Sequence, residues 1–186
     1  SEVEELEREL KEVVDRVRKL HRESLERNRE VVRKVDEDIK KLHRESEEVA
    51  KEVEKLIEEV KDDTDKLRKI LERLREIAER SRRTLTEILK RLEKISRELL
   101  EENKKINEEL KRILEDLIRR LRERGVDERD LKRLEDEARK ANKESRDLVR
   151  EIERHSREAM KRIEEELRRN KERLERVLKK IEDKAR

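Results

Sequence analysis

The chain contains no cysteine, no proline and no aromatic residue, and it has a single glycine among its 186 residues. Without cysteine it can form no disulfide, and it lacks a thiolate that could attack a substrate or bind a metal. Proline and glycine most often end helices and form tight turns, so their scarcity favours long, uninterrupted helices. Because aromatic rings normally supply much of a domain's buried area, the core has to consist of aliphatic side chains.

Charged residues make up 60% of the chain and hydrophobic residues 30%, whereas an average domain is about one quarter charged and one half apolar. The 57 basic and 54 acidic residues leave a net charge of only +3. The two signs are interleaved, and pairs such as Glu47/Lys51 and Glu164/Arg168 place an acid four residues before a base, which supports a helix. Binding to nucleic acid or to a membrane surface requires a face of one sign, so we expect neither partner.

An apolar stripe with helical spacing runs through three segments of roughly 60 residues each. In the first segment it comprises Val3, Leu6, Leu10, Val13, Val17, Leu25, Val32, Val35, Ile39, Leu42, Val49, Val53, Leu56 and Val60. An eighteen-residue repeat describes the stripe best, and in the later segments it falls on Leu67, Leu85, Asn103 and Leu121, and on Leu131, Val149, Leu167 and Ala185. Eighteen residues are five helical turns, so the stripe stays parallel to the axis and predicts nearly straight helices.

Two short segments interrupt the pattern. Asp62 and Asp63 can end one helix and cap the next. Gly125 suits the left-handed position after a helix, and Asp127 suits the N-cap that follows. The sequence therefore predicts an all-α fold, a single-chain up-down-up three-helix bundle. Its helices would cover about residues 1–61, 64–124 and 127–185, with loops near 62–63 and 125–126 and all of residues 1–186 in one domain.

Polar residues occupy fifteen positions of the apolar stripe, and all three histidines are among them. If the chain folds back at about residues 63 and 126, residue n of the first helix lies level with 126−n of the second and n+126 of the third. The polar positions then gather into layers to which every helix contributes. They are His21, Ser24, Asn28, His43, Ser46, Ser81, Thr84, Ser96, Asn103, Asn107, Asn142, Ser145, His155, Ser156 and Asn170.

These layers suggest a role in specificity. A buried polar group without a partner costs about 1–3 kcal/mol, so polar layers penalise every helix register that misaligns them. The alternative is that several of these residues border the stripe and face water.

The chain resembles computationally designed helical bundles with buried hydrogen-bond networks. The resemblance rests on the Glu/Lys/Arg surface, the Leu/Ile/Val core, the Gly125-Val126-Asp127 loop, the polar layers and the repeated Lys-Leu-His-Arg-Glu-Ser at 19–24 and 41–46. It implies a structural protein without natural activity. Some designs of this type hold histidines in their networks and lose structure or assembly in acid. Natural spectrin repeats share the architecture, but they usually carry a core tryptophan and more irregular loops.

We therefore expect a structural scaffold whose polar layers set helix register, and no enzyme. One alternative is a pH-responsive bundle, in which protonation of His21, His43 and His155 destabilises the fold or an assembly. A second is an interaction module that pairs through Leu100, Ile118 or Met160.

His21 and His43 are 22 residues apart on one helix, or about 33 Å, so the histidines cannot share a metal ion. We expect no cofactor, no metal and no required partner. A monomer is favoured, although a homo-oligomer is possible. Such a protein has no native location, and it would be soluble and cytoplasmic in an expression host.

Overall fold

The computed structural model describes the backbone of residues 1–185 and the side chains up to Lys184. Three α-helices account for nearly all of it: α1 (Glu2–Glu59), α2 (Thr64–Glu123) and α3 (Glu128–Ala185). No strand occurs in residues 1–185, and the predicted all-α three-helix bundle is confirmed. Arg186 and the side chain of Ala185, the last position of the eighteen-residue repeat, lie outside the described residues.

The helices begin at capping residues. The Ser1 hydroxyl accepts a hydrogen bond from the Glu4 backbone N–H (3.3 Å), and the Asp63 carboxylate accepts one from the Lys66 N–H (3.1 Å). Both contacts satisfy backbone donors that the first helical turn leaves unpaired. At the start of α3, the Asp127 carbonyl accepts from the Leu131 N–H at 2.9 Å.

Gly125 ends α2 in the left-handed conformation, with φ of 72°. Its N–H donates to the Arg122 carbonyl (3.1 Å), and the Val126 N–H donates to the Leu121 carbonyl (3.4 Å). This pair of bonds is the Schellman motif, which glycine adopts without steric cost. The predicted role of Gly125 is confirmed.

The chain divides into two compact units, and all three helices contribute to each. Unit 1 comprises residues 1–30 and 94–156, and unit 2 comprises residues 31–93 and the chain from 157 onward. In unit 1 the apolar cluster joins Leu6–Val17 of α1 to Leu110–Leu121 of α2 and Leu131–Ala141 of α3. Low numbers on α1 therefore meet high numbers on α2 and low numbers on α3, which is the up-down-up order.

Unit 2 has the same order and two apolar clusters. One of them contains Val32 and Val35 of α1 with Leu85–Leu92 of α2 and Ala159 and Ile163 of α3. The other joins Ala50–Ile57, Leu67–Leu74 and Val177–Ile181. A polar layer of unit 2 lies between these clusters along the sequence of each helix.

The eighteen-residue repeat accurately locates the core on α2, where Leu67, Leu85, Asn103 and Leu121 are all buried. One position of the predicted α1 stripe is wrong. Leu56 is 44% exposed, and its neighbour Ile57 is buried with 1% exposure. Ile57 lies eighteen residues after Ile39, so the repeat, followed strictly, gives the correct position.

The predicted register between α1 and α3 is confirmed within each unit by ion pairs that join residue n to residue n+126. They are Arg18–Glu144 in unit 1, and Asp36–Arg162, Glu47–Arg173, Glu54–Lys180 and Glu58–Lys184 in unit 2. No loop connects α1 directly to α3, so side-chain contacts have to determine this register.

Candidate functional site

The fifteen polar residues of the stripe form the candidate site, and none of them is fully exposed. The buried members are His21, Ser24, Asn28, Ser96, Asn103, Ser145 and Ser156. The half-buried members are His43, Ser46, Ser81, Thr84, Asn107, Asn142, His155 and Asn170. The structure brings several of them into contact across helices. The contacts in unit 1 join neutral side chains, whereas those in unit 2 include buried charged side chains.

In unit 1, His21 of α1 bonds to Asn103 of α2, with 2.6 Å between His21 Nδ1 and Asn103 Oδ1. Asn103 Nδ2 donates to the carbonyl of Leu99 in its own helix, also at 2.6 Å. This second bond fixes the orientation of the amide, so Oδ1 is an acceptor and His21 Nδ1 has to donate. His21 Nδ1 therefore carries a proton.

The other ring nitrogen of His21 has no partner. Nε2 is buried without a hydrogen bond, and the whole residue is only 1% exposed. In the neutral ring with its proton on Nδ1, Nε2 presents a lone pair to the interior of unit 1.

Asn107 and Ser145 make a weaker contact near this pair. Asn107 Nδ2 donates to the Ser145 backbone carbonyl at 3.4 Å, and Asn107 Oδ1 is buried without a partner. Ser24 is buried and Asn142 is half-buried. No hydrogen bond of either side chain occurs within residues 1–185.

A second polar layer of unit 1 contains Asn28, Ser96 and Ser156. Asn28 Nδ2 donates to Ser156 Oγ at 2.8 Å. Asn28 Oδ1 and Ser96 Oγ are buried without partners. His155 lies at the rim instead, 28% exposed, with Nε2 3.5 Å from a carboxylate oxygen of Glu151.

Unit 2 buries a charged network around two residues that the sequence analysis did not single out, Glu166 and Arg173 of α3. Glu166 is 2% exposed, and Arg173 Nη2 donates to its Oε1 at 3.0 Å. Arg173 Nε also donates to Glu47 of α1 at 2.7 Å, and Arg173 Nη1 donates to Asn170 Oδ1. The guanidinium thus connects two carboxylates and an amide.

His43 completes this network from α1. Its Nδ1 lies 3.0 and 3.1 Å from the two carboxylate oxygens of Glu166, and Arg173 Nη2 contacts the same nitrogen. In the neutral ring Nδ1 can accept from Arg173, and in the protonated ring it can donate to Glu166. The side chain of His43 is 36% exposed.

The remaining polar residues of unit 2 lie beside the network. Asn170 Nδ2 donates to Ser81 Oγ of α2 at 2.8 Å. Thr84 donates to the Arg80 carbonyl of its own helix and makes no cross-helix bond. Ser46 lines a cavity of about 40 Å³ together with Ser81, Asn170 and Arg173.

The network changes the acidity of Glu47. The hydrogen bond from Arg173 holds the pKa of this carboxyl below its ordinary value of 4.5, and the nearby charges of Arg173, His43 and Arg176 act in the same direction. Charged partners of this kind favour the ionised carboxylate.

The helical spacing contains a signal for Glu166 and Arg173. Ala159, Ile163, Glu166, Asn170, Arg173 and Val177 follow one another at intervals of three or four residues, which is the spacing of a buried helix face. The signal is difficult to recognise because most residues of the chain are charged, so a charged residue at a stripe position does not stand out.

Within residues 1–185 no group of three or more histidine or carboxylate side chains is arranged to hold a metal ion. None of the three helices, over the same residues, has an apolar stretch sufficient to cross a membrane.

No protein-family model matches the chain, and no curated protein matches it. A solved structure described as a "Computationally designed three helix bundle" is similar over 98% of this chain and 84% of that chain, with a TM-score of 0.53 and 22% sequence identity. At this identity the similarity establishes the three-helix bundle fold.

Proposed function

We propose that this protein is a designed structural bundle without enzymatic activity, whose buried polar layers determine the register of its helices. The observation that carries the proposal is the cross-helix pairing of polar residues in both units, as in His21 with Asn103, His43 with Glu166 and Glu47 with Arg173. Support also comes from the solved structure with the same fold, which is itself a computational design.

The energetic reason is the cost of misalignment. A slide of α1 by one turn would separate His21 from Asn103 and leave buried donors and acceptors unpaired, at about 1–3 kcal/mol for each group. The same slide would separate His43 and Glu47 of α1 from Glu166 and Arg173 of α3, and hydrogen bonds to charged groups are worth about 1.5–3 kcal/mol each. An apolar stripe alone would tolerate such a slide, because leucine, isoleucine and valine pack in several registers.

Spin-label distances test the proposal in unit 1. The labels would replace the exposed Arg8 of α1 and Arg150 of α3, which in the observed register are offset by about 16 residues, or about 24 Å along the axis. We expect one narrow distance in the native sequence. Because α1 and α3 are continuous through both units, the variant replaces paired residues of both units: His21→Leu, Asn103→Leu, Asn28→Leu, Glu166→Leu and Arg173→Leu. It should add a population displaced by about one turn, ~5.4 Å. An unchanged single distance in a folded variant would refute the proposed role.

The proposal includes a monomer without a required partner or cofactor. The large hydrophobic side chains that are exposed in residues 1–184 are Leu20, Leu56 and Ile113. Leu100, Ile118 and Met160, which could mediate association, are half-buried. Light scattering after size exclusion should give the chain mass of 23.0 kDa. A concentration-dependent multiple would favour the interaction module.

A second candidate function is an acid response, and the burial of His21 among uncharged side chains favours it. The helicity of the protein in a fixed denaturant concentration should fall between pH 7.4 and 4.5. A variant with all three histidines replaced by asparagine is the reference. If both proteins lose the same helicity, the histidines confer no acid response.

A further inference from the structure

We infer that acid opens unit 1 before unit 2 and that His21 alone triggers the opening, whereas His43 and His155 can be protonated in place. This inference rests on the acid response proposed above, and it assigns that response to one residue and one unit.

The site of His21 cannot accept a second ring proton. Nδ1 is committed to Asn103 Oδ1, so an added proton would bind at Nε2, which is buried without a partner. The resulting N–H⁺ would be a buried charge with no acceptor, which is among the most costly arrangements in a protein interior.

No charged side chain in the surroundings of His21 is buried. The buried polar residues of unit 1 are all neutral: His21, Ser24, Asn28, Ser96, Asn103, Ser145 and Ser156. The charged residues nearest to the layer in the sequence lie at the surface or are paired. They are Lys19 and Arg22 on α1 and Glu102 and Lys104 on α2, which are exposed, and Glu144 on α3, which is half-buried and bonded to Arg18.

The surroundings of His43, unlike those of His21, contain charged side chains that face it. Glu166 on α3 lies at hydrogen-bond distance from Nδ1, and Arg173 and Glu47 complete a cluster of two acids and one base. Arg169, half-exposed, lies 3.9 Å from Glu166. On α2 the charged residues at this level are the exposed Arg80 and Arg83 and the ion pair of Glu79 with Arg82. A proton on His43 therefore has an acceptor in Glu166 and balances the cluster's charge.

His155 also has an acceptor. Glu151 lies 3.5 Å from its Nε2, and the side chain is partly open to solvent. Glu151 receives a hydrogen bond from Arg29 as well, so protonated His155 would join an existing surface ion pair.

The direction of the pH effect follows from proton linkage. A histidine in an unfolded chain takes up a proton below about pH 6.5. If the folded site of His21 excludes that proton, opening is favoured as the pH falls below this value, and the stability of unit 1 is intact above it. One proton changes the opening equilibrium by at most about tenfold for each pH unit.

Amide hydrogen exchange, resolved by peptides from each unit and corrected for intrinsic exchange rates, tests this inference at pH 7.4, 6.5 and 5.5. We expect the protection of unit 1 to fall about fivefold between pH 6.5 and 5.5, and that of unit 2 to change much less. His21→Gln should abolish the fall, whereas the matched variants His43→Gln and His155→Gln should retain it. Only the pH dependence is compared, so a lower baseline stability of a variant does not obscure the result.

The outcomes separate this inference from the proposed acid response. If no unit changes its protection, the acid response itself is wrong. If unit 2 opens first, or if His43→Gln abolishes the effect, the acid response holds and its assignment to His21 is wrong. As an independent measurement, ring nitrogen chemical shifts of the folded native protein should keep His21 in the Nδ1–H form at pH 5.5, and a protonated His21 ring would overturn the inference.

Discussion

The polar layers of the two units differ in the charge of the side chains that they bury. Unit 1 buries only neutral groups and leaves four buried atoms without a partner: His21 Nε2, Asn28 Oδ1, Ser96 Oγ and Asn107 Oδ1. Unit 2 buries an ion pair, and within the described residues no buried side-chain atom of this unit lacks a partner. The comparison teaches that a charged layer demands complete pairing, because an unpaired buried charge is intolerable, whereas a neutral layer tolerates an unpaired acceptor at lower cost.

The largest expected effect is on the charged layer. Glu166→Leu leaves the buried Arg173 with the partly exposed Glu47 as its acidic partner and should lower the free energy of unfolding of unit 2 by about 3 kcal/mol, the lower end for a broken buried ion pair. Adding Arg173→Leu should recover most of the loss, because an apolar pair can replace a buried ion pair. Guanidinium unfolding followed by circular dichroism measures both variants. A loss below about 1 kcal/mol for the single variant would contradict the account.

The neutral layer of unit 1 should respond less. Asn103→Leu removes the acceptor of the His21 Nδ1–H and should cost about 1–3 kcal/mol. The double variant with His21→Leu should be close to the native protein in stability, because both members of the pair are then apolar. If Asn103→Leu cost more than Glu166→Leu in the same unfolding experiment, the contrast between the units would be wrong.

A matched pair of serines distinguishes paired from unpaired atoms within unit 1. Ser156→Ala removes the acceptor of Asn28 Nδ2 and should destabilise by about 1 kcal/mol, whereas Ser96→Ala removes a hydroxyl without a partner and should be neutral or slightly stabilising. Both serines are buried. Equal losses in thermal or denaturant unfolding would show that the hydrogen bond is not the cause.

The smallest effect is expected at Glu47, which is partly exposed. Its pKa is lowered in the folded protein by Arg173, so its stabilising contribution is present above about pH 4.5 and is lost as the pH falls below that value. Solvent screening limits it to less than about 1 kcal/mol. The difference in unfolding free energy between the native protein and Glu47→Gln should therefore shrink as the pH falls below about 4.5. A difference that grows in acid would reverse the sign of this argument.

Most of the fold could be predicted because it depends on local patterns. The apolar repeat identifies the buried face of each helix, Gly125 marks the end of α2, and short loops constrain the register to within a few residues. The structure gives His21 a partner in Asn103, two positions from the predicted level.

The charged layer could not be predicted in the same way. Glu166 and Arg173 occupy helical positions that are compatible with burial, but in a chain that is 60% charged their residue types carry no signal. Their helical spacing separates them from the exposed Glu165 and Arg169 beside them, and only the tertiary contacts show which partners they have. Similarly, three histidines in one stripe suggest a common role, and only the folded structure shows that their partners differ.

The most direct test of the central claim is a spin-label distance in unit 2, between labels that replace the exposed Lys40 of α1 and Glu182 of α3. The double variant with Glu166→Leu and Arg173→Leu is expected to be about as stable as the native protein, so a change of register would not reflect lost stability. Because α1 and α3 are continuous through both units, this double variant is combined with His21→Leu, Asn103→Leu and Asn28→Leu. If polar layers fix the register, the native protein gives one narrow distance and the combined variant adds a second, about one turn or ~5.4 Å away. A single unchanged distance in the folded combined variant would contradict the claim.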